Sequence, residues 1–227
     1  MTAMSNEYSW MWHQTFQRSV PGEQTDREVA FLERWLPRGD VLDVACGFGR
    51  HAIRLQSHGY RVLGVECDPR VAAAARREGL EVVEADMREL ATAVPGDFDG
   101  VISMWSSLGF YDDEVNDAIL DTMAAKLRPG GRLVIDTWNP DFHIARQGTR
   151  SIERVGRTVA ESKSVDDGWM TTTLDYGDGT RDVFEFRLYE PEELARSLEL
   201  LLVCCRFDES VPRREDEPRM QLVLGTR

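Results

Sequence analysis

The 227-residue chain has no long apolar run. Nothing in it approaches the roughly 18–20 residues needed to span a bilayer. The stretch from Met1 to Trp12 has neither the basic start nor the apolar centre of a signal peptide, so a cytoplasmic location is expected. Cysteine is scarce, with four in all. Cys46 and Cys67 lie beside predicted strand ends, and Cys204-Cys205 are adjacent, a poor geometry for bridging each other. No CxxC pair or Cys/His spacing suggests zinc, so reduced thiols and no metal are expected. Positive charge is outnumbered, with 27 basic against 40 acidic residues and a net charge of −13. Such a field opposes phosphate backbones and anionic lipid, which disfavours nucleic acid and membrane as partners. Repeats and low-complexity tracts are also lacking. The 42% hydrophobic content is that of a globular chain, and the length suits a single domain, 1–227, with a large core.

From Asp40 to Thr137, short apolar runs alternate with amphipathic stretches, the pattern of a parallel α/β sheet. The strands are predicted at Val41–Ala45, Val62–Val65, Glu81–Glu84, Gly100–Met104 and Arg132–Thr137. Helices are predicted at Arg50–Ser57, Pro69–Arg77 and Asp112–Leu127. The last is stopped by Arg128-Pro129-Gly130-Gly131, which should turn the chain into the next strand. Beyond Asn139 the period changes to two. Met170, Thr172, Leu174 and Tyr176, then Phe184, Phe186 and Leu188, alternate with polar neighbours around Gly177-Asp178-Gly179. This predicts an antiparallel hairpin, Trp169–Tyr189, with a further strand near Arg154–Glu161. A helix from Pro191 to about Leu200 and strands at Leu201–Phe207 and Met220–Gly225 complete the reading. Residues 1–39 read as N-terminal cap helices and 145–190 as an inserted β lid.

The segment Asp43-Val44-Ala45-Cys46-Gly47-Phe48-Gly49 ends a buried strand and opens a helix. Gly47 and Gly49 let the backbone bend and let a ligand lie against it. The spacing Gly47-x-Gly49-x-x-Ala52 also satisfies the dinucleotide pattern, so the glycines alone leave the ligand open. Asp43 argues against a pyrophosphate and suits a ligand with an ammonium and a sulfonium. Glu66, ending the second strand, can grip two ribose hydroxyls. Asp86 can accept from an exocyclic amine, and Met87 can cover a purine face. Three acids after three successive strands share the carboxyl edge of one sheet.

These residues, with Leu127-Arg128-Pro129-Gly130-Gly131, resemble the class I S-adenosylmethionine (SAM)-dependent methyltransferases. Further stretches are Ser107-Leu108-Gly109-Phe110-Tyr111, Arg187-Leu188-Tyr189-Glu190-Pro191-Glu192-Glu193-Leu194 and Asp216-Glu217-Pro218-Arg219-Met220. They are similar to the small-molecule branch that includes sugar N-methyltransferases. The resemblance implies a Rossmann-like α/β sheet, mostly parallel with its last strand antiparallel, helices on both faces and an inserted β lid. It implies SAM as cofactor, with its amino-acid end at Asp43, Ala45, Cys46, Gly47 and Gly49. The ribose falls to Glu66, the adenine to Asp86 and Met87, the sulfonium lies near Met104, and Cys67 is counted among the cofactor-binding residues. Aromatic residues near the N-terminus close over the cofactor in this branch, which nominates Tyr8, Trp10 and Trp12. Two departures stand out. Ala45 and Phe48 replace residues that are often Gly and Thr or Ser. The usual Gly-Phe turn before the sixth strand is missing, which suggests a shortened sheet end.

Methyl transfer from a sulfonium is an in-line displacement driven mainly by alignment. A base is needed only where the nucleophile must lose a proton, and His143 and Tyr111 are the candidates. The lid should shape the pocket for a small-molecule N or O acceptor, with Trp105, Trp138 and Trp169 lining it. A homodimer is compatible with this reading. Asn139-Pro140-Asp141-Phe142 follows the fifth strand rather than the fourth, which separates it from the motif of base-modifying amino methylases. The alternatives are an NAD(P)-dependent oxidoreductase and a non-catalytic SAM-binding protein; a lid pocket filled by its own side chains would favour the second.

Overall fold

A computed structural model describes residues 9–226. The chain begins with α1 (Trp10–Trp12), which runs on as a π-helical turn, His13–Gln17, and then α2 (Gly22–Trp35). The βα repeats follow: β1 (Asp40–Val44), α3 (Arg50–Ser57), β2 (Arg61–Glu66), α4 (Pro69–Arg77) and β3 (Glu81–Glu84). A 3-10 turn, Met87–Glu89, leads through α5 (Leu90–Ala93) to β4 (Phe98–Ser103), α6 (Asp113–Ala125) and β5 (Leu127–Trp138). After α7 (Pro140–Ala145) come β6 (Gly148–Arg154), β7 (Arg157–Asp166), β8 (Trp169–Asp175) and β9 (Arg181–Arg187). The chain closes with α8 (Pro191–Ala195), β10 (Glu199–Cys205), β11 (Asp208–Pro212) and β12 (Arg219–Gly225).

The main sheet has the order β11-β10-β12-β5-β4-β1-β2-β3. Strands β3, β2, β1, β4 and β5 run parallel, and β12 inserts antiparallel between β5 and β10. Both faces are covered, so successive strand residues serve opposite cores. Leu42, Val44, Leu133 and Ile135 pack on the α6 side with Ile119, Leu120 and Met123. Val41, Ile102 and Val134 pack on the side of α2, α3 and α4 with Leu32, Leu55 and Ala75. Chain order reverses between β1 and β4, which opens a crevice at the carboxyl edge of β1.

Four boundaries differ from the sequence expectation, each for a local reason. α6 ends at Ala125 and β5 already begins at Leu127, so Arg128-Pro129-Gly130-Gly131 is a bulge within the strand pair rather than a turn before it. α8 stops at Ala195 because Arg196 takes a left-handed φ of 45° while Leu198 N–H bonds the Ala195 carbonyl. The sheet end is extended rather than shortened, since β11 pairs with β10. The lid is a four-stranded antiparallel sheet, β6-β7-β8-β9, not a hairpin plus one strand. Residues of β6 are exposed on both faces, so they carry no alternation to read. The inward face of the lid buries Val159, Met170, Leu174, Phe184 and Phe186. Met11, Trp12, Phe16, Phe110 and Trp138 pack against it. All four cysteines are free thiols. Among the described residues, no helix is long and apolar enough to cross a membrane.

Candidate functional site

β1 carries Asp43 to the carboxyl edge, in register with Gly64 of β2 and Ile102 of β4. The side chain is buried, and its Oδ2 has no hydrogen-bond partner among the described residues. Burial pushes its carboxyl up to about 8, with Arg50 opposing the rise and Glu66 adding to it. A buried carboxylate with an unused oxygen is costly unless a cation meets it. The chain leaves the strand through three left-handed residues, Ala45 (φ 59°), Gly47 (φ 58°) and Gly49 (φ 77°). For Ala45 this conformation costs roughly 1–2 kcal/mol, and strain of this kind gathers at functional turns.

The turn is pinned from β2. Glu66 accepts the Gly47 N–H at 3.0 Å through one oxygen and the Asp68 N–H at 2.9 Å through the other. Each oxygen keeps further acceptor capacity, since a carboxylate offers about four lone-pair sites. Burial pushes the Cys46 thiol up strongly, and the Cys67 thiol up to about 12, so both stay protonated. Asp86 caps the 3-10 turn by accepting the Arg88 N–H at 2.9 Å, and it also pairs with the Arg88 guanidinium. Burial opposes ionisation of Asp86, but the bonds from Arg88 outweigh it and hold the carboxyl below its usual range. Tyr111 donates its hydroxyl to Asp86 at 3.2 Å, and burial followed by that carboxylate pushes the phenol up to about 12. Met87 is half-buried beside Asp86, and Met104 is buried at the end of β4.

Asp43, Ala45, Cys46, Gly47, Gly49, Glu66, Cys67, Asp86, Met87 and Met104 therefore sit at the carboxyl ends of β1 to β4 or just beyond them. Tyr111 joins them through Asp86. His143 does not; it lies on α7, where Nε2–H donates to the Pro218 carbonyl at 3.0 Å. Burial, then the nearby Lys163 charge, pushes its imidazole down to about 3. Trp12 packs between the lid and Phe16, with ring centroids 6.2 Å apart. Tyr8 lies outside the described residues. Of the three tryptophans expected under the lid, Trp138 packs there, Trp169 is half-buried at the start of β8, and Trp105 belongs to a separate network.

That network escaped the sequence reading. Asp136, fully buried at the end of β5, accepts the Trp105 N–H at 2.9 Å, Gln221 Nε2 at 2.8 Å and Arg219 Nε at 3.0 Å. Glu28, fully buried on α2, accepts His51 at 2.7 Å, Arg50 at 2.5 Å and Trp105 Nε1 at 3.3 Å. Burial pushes His51 down to about 4, so it meets Glu28 as a neutral donor. These partners lie 22 to 85 residues apart, beyond any local spacing rule.

The N-terminal segment closes this edge. A Cβ on Gly47 would lie 1.9 Å from Gln17 Nε2, so the Gln17 amide rests directly on the turn. His13 bonds Gln17 at 2.7 Å. Ser9 donates to Asp182 of the lid at 2.7 Å, where Tyr176 also donates. A cavity of about 290 Å³ lies outside the turn between Gln17, Arg18, Phe48, Arg50 and Arg77, not over the three acids. The three acids instead share the carboxyl edge of three adjacent strands.

Residues 41–131 match the family model described as a methyltransferase domain. The chain is 31% identical over 183 residues to the dTDP-3-amino-3,4,6-trideoxy-alpha-D-glucopyranose N,N-dimethyltransferase of Streptomyces venezuelae, covering 75% of this chain and 76% of that protein. It is 26% identical over 217 residues to the putative methyltransferase YqeM of Bacillus subtilis, covering 85% of this chain and 87% of that one. In fold it is similar to a SAM-dependent methyltransferase from Clostridium acetobutylicum, with a TM-score of 0.75 at 15% identity, over 95% of this chain and 96% of that one.

Proposed function

We propose, for a chain that belongs to the class I SAM-dependent methyltransferases, that the acceptor atom is the amine nitrogen of a small polar molecule. Family membership sets aside the NAD(P) oxidoreductase, and SAM is the cofactor. The single observation that carries the site is Asp43, a buried carboxylate with one unpartnered oxygen beside a left-handed turn. It fits a ligand that brings positive charge without phosphate.

Asp43 receives the ammonium end of the cofactor, with the Ala45, Cys46, Gly47 and Gly49 backbone around it. The spare lone pairs of Glu66 take ribose hydroxyls beside Cys67. Asp86 takes the adenine amine, Met87 covers the ring and Met104 floors the reacting end. When bound, SAM supplies an electrophilic methyl on a sulfonium. Gln17 yields its place on Gly47, and Trp12 with the N-terminal segment re-closes against the lid. The lid, roughly residues 145–190, bounds the acceptor, and residues 1–39 cap the sheet.

The nitrogen assignment is supported by what the two candidate bases are doing. Tyr111 keeps its proton on Asp86, and His143 is committed to Pro218 with an imidazole too acidic to collect protons near neutrality. A neutral amine needs no base at the moment of attack, whereas a hydroxyl does. The Streptomyces relative is itself named an N,N-dimethyltransferase. The net charge of −13 favours a small acceptor over nucleic acid. A homodimer in the cytoplasm completes the reading, checked by light scattering and fractionation. The central test is release of S-adenosylhomocysteine across matched amines, phenols and carboxylates. Turnover of amines supports nitrogen as the acceptor; turnover confined to phenols or acids would overturn it.

A further inference from the structure

Behind Trp138, between α7 and the first two lid strands, lies a second cavity of about 70 Å³. Its wall includes His143, Arg146, Thr149, Arg150, Glu161 and Lys163. Three observations set it apart from ordinary packing. The inner face of β7 reads Val159, Glu161, Lys163, so a buried ion pair interrupts a sheet face that is otherwise mostly apolar. Lys163 is one of only two lysines in a chain with 25 arginines, so a compact ammonium here is a departure from the molecule's usual cation. Finally, buried polar atoms around it have no partner among the described residues: His143 Nδ1, Trp138 Nε1 and Thr172 Oγ1. Thr172 faces Lys163 across the β7–β8 ladder, and Lys163 Nζ lies 4.6 Å from the Trp138 ring centroid.

The charges do not cancel. Glu161 is shared by Arg150 at 2.5 Å and Lys163 at 3.5 Å, while Arg146 bonds the Glu215 carbonyl and stacks on Phe142. Two cations thus share one carboxylate, and a third, Arg146, stands on the same cavity wall. Because His143 Nε2–H is spent on Pro218, Nδ1 presents a lone pair. An anion flanked by a hydrogen-bond donor satisfies both sides.

We infer that this cavity is a carboxylate subsite of the methyl acceptor, in which Lys163 and Arg150 hold the acidic group while His143 Nδ1 accepts from an adjacent hydroxyl or N–H. The inference rests on the methyl-transfer reading above and adds the substrate class, an amine that also bears a carboxylate. α7 follows β5 directly, so the subsite lies at the same sheet edge as the cofactor loops. Trp138 separates it from the apolar cluster beneath the lid, leaving the acid anchored to one side and the amine directed toward the cofactor edge.

The test has a binding arm and a turnover arm. In protein saturated with S-adenosylhomocysteine, succinate should bind at least tenfold more tightly than succinamide by calorimetry. Lys163→Met, a change of similar volume, should erase that preference, with S-adenosylhomocysteine affinity kept within twofold as evidence of an intact fold. Arg150→Gln, on an exposed strand, should reduce succinate affinity about threefold and serves if Lys163→Met does not fold. In turnover, ω-amino carboxylates should exceed their amides at least tenfold in kcat/KM, and the ratio should approach one in Lys163→Met. Equal affinity for succinate and succinamide would overturn the subsite. A succinate preference without any acid preference in turnover would overturn its assignment to the acceptor and mark it as a free-anion site. If no amine is methylated while the Lys163-dependent succinate preference persists, the nitrogen-acceptor reading fails and the carboxylate site stands.

Discussion

The carboxylate of Asp136 accepts the backbone N–H of Trp105 at 2.9 Å, and the Asp136 carbonyl accepts the N–H of Ser106 at 2.8 Å. Trp105 and Ser106 both lie in the left-handed region, at φ 62° and 58°. One residue of β5 therefore holds the strained loop that follows Met104 of β4. Asp136 is itself charge-balanced by Arg219, and Trp105 reaches across to Glu28 of α2. The loop that follows Met104 is thus fixed by three separate parts of the chain.

Asp136→Ala should leave the buried Arg219 guanidinium unpaired, a loss of about 3–5 kcal/mol. For a domain of this size each kcal/mol lowers the melting temperature by about 2–4 °C. A fall of roughly 10 °C in a thermal scan is expected. A melting temperature unchanged within 2 °C would mean that Arg219 is not held by this pair.

Asp43 gives a pH signature. Its folded carboxyl sits at about 8 because of burial, against an ordinary value of 3.8 when unfolded. Between those values the folded state binds a proton that the unfolded state does not, so this group costs increasing stability as pH rises from about 4 to 8. Asp43→Asn should flatten that decline and raise the melting temperature of the cofactor-free protein at pH 7.5 by about 2–4 °C. It should also abolish SAM binding. SAM affinity in the parent protein should rise with pH toward 8, because a cationic ligand selects the ionised carboxylate. Affinity independent of pH between 6 and 8.5 would remove Asp43 from the cofactor site.

Gly47→Val places a branched side chain at a φ of 58° and in the space of the Gln17 amide. The fold should survive, since the turn lies at the edge of the core, while SAM binding should vanish. Gln17→Ala should act in the opposite sense, speeding SAM association several-fold in stopped-flow because the amide no longer covers the turn. Full SAM affinity in a folded Gly47→Val protein would show that the ligand does not approach this backbone.

Glu66→Ala removes an acceptor of the Gly47 N–H and, on the proposed reading, a partner of the ribose. A charged hydrogen bond is worth about 1.5–3 kcal/mol, so SAM should bind roughly 10- to 150-fold more weakly by calorimetry. Unchanged affinity would exclude Glu66 from the site.

Replacing the Gly177–Thr180 turn of the lid should change acceptor turnover and leave SAM affinity within twofold. Tyr176→Phe offers the contrast. It removes a bond to Asp182, the residue that also holds Ser9 of the N-terminal segment, so a modest loss of SAM affinity is expected. Equal effects of both changes on SAM binding would make the whole lid part of the cofactor site.

Much of this was legible in the sequence because it is encoded locally. Alternating apolar residues in β8 and β9, the Asp112 cap of α6 and the Gly47-x-Gly49 turn each depend on neighbours a few positions away. So do the three acids, since each stands within two residues of the end of its own strand. Strand β6 stayed hidden because both its faces meet solvent, and the end of α8 because one left-handed Arg196 breaks it without Gly or Pro. What only the tertiary structure decided was which charges meet. Glu28 with His51, Asp136 with Trp105 and Lys163 with Trp138 pair residues brought together by strand order and lid docking. His143 looked like a base from its place after the fifth strand, yet burial against Pro218 makes its imidazole a structural donor. Backbone conformation follows from short-range sterics and periodicity, which a linear chain displays. The ionisation and partnering of a side chain follow from burial and distance, which exist only once the chain has folded.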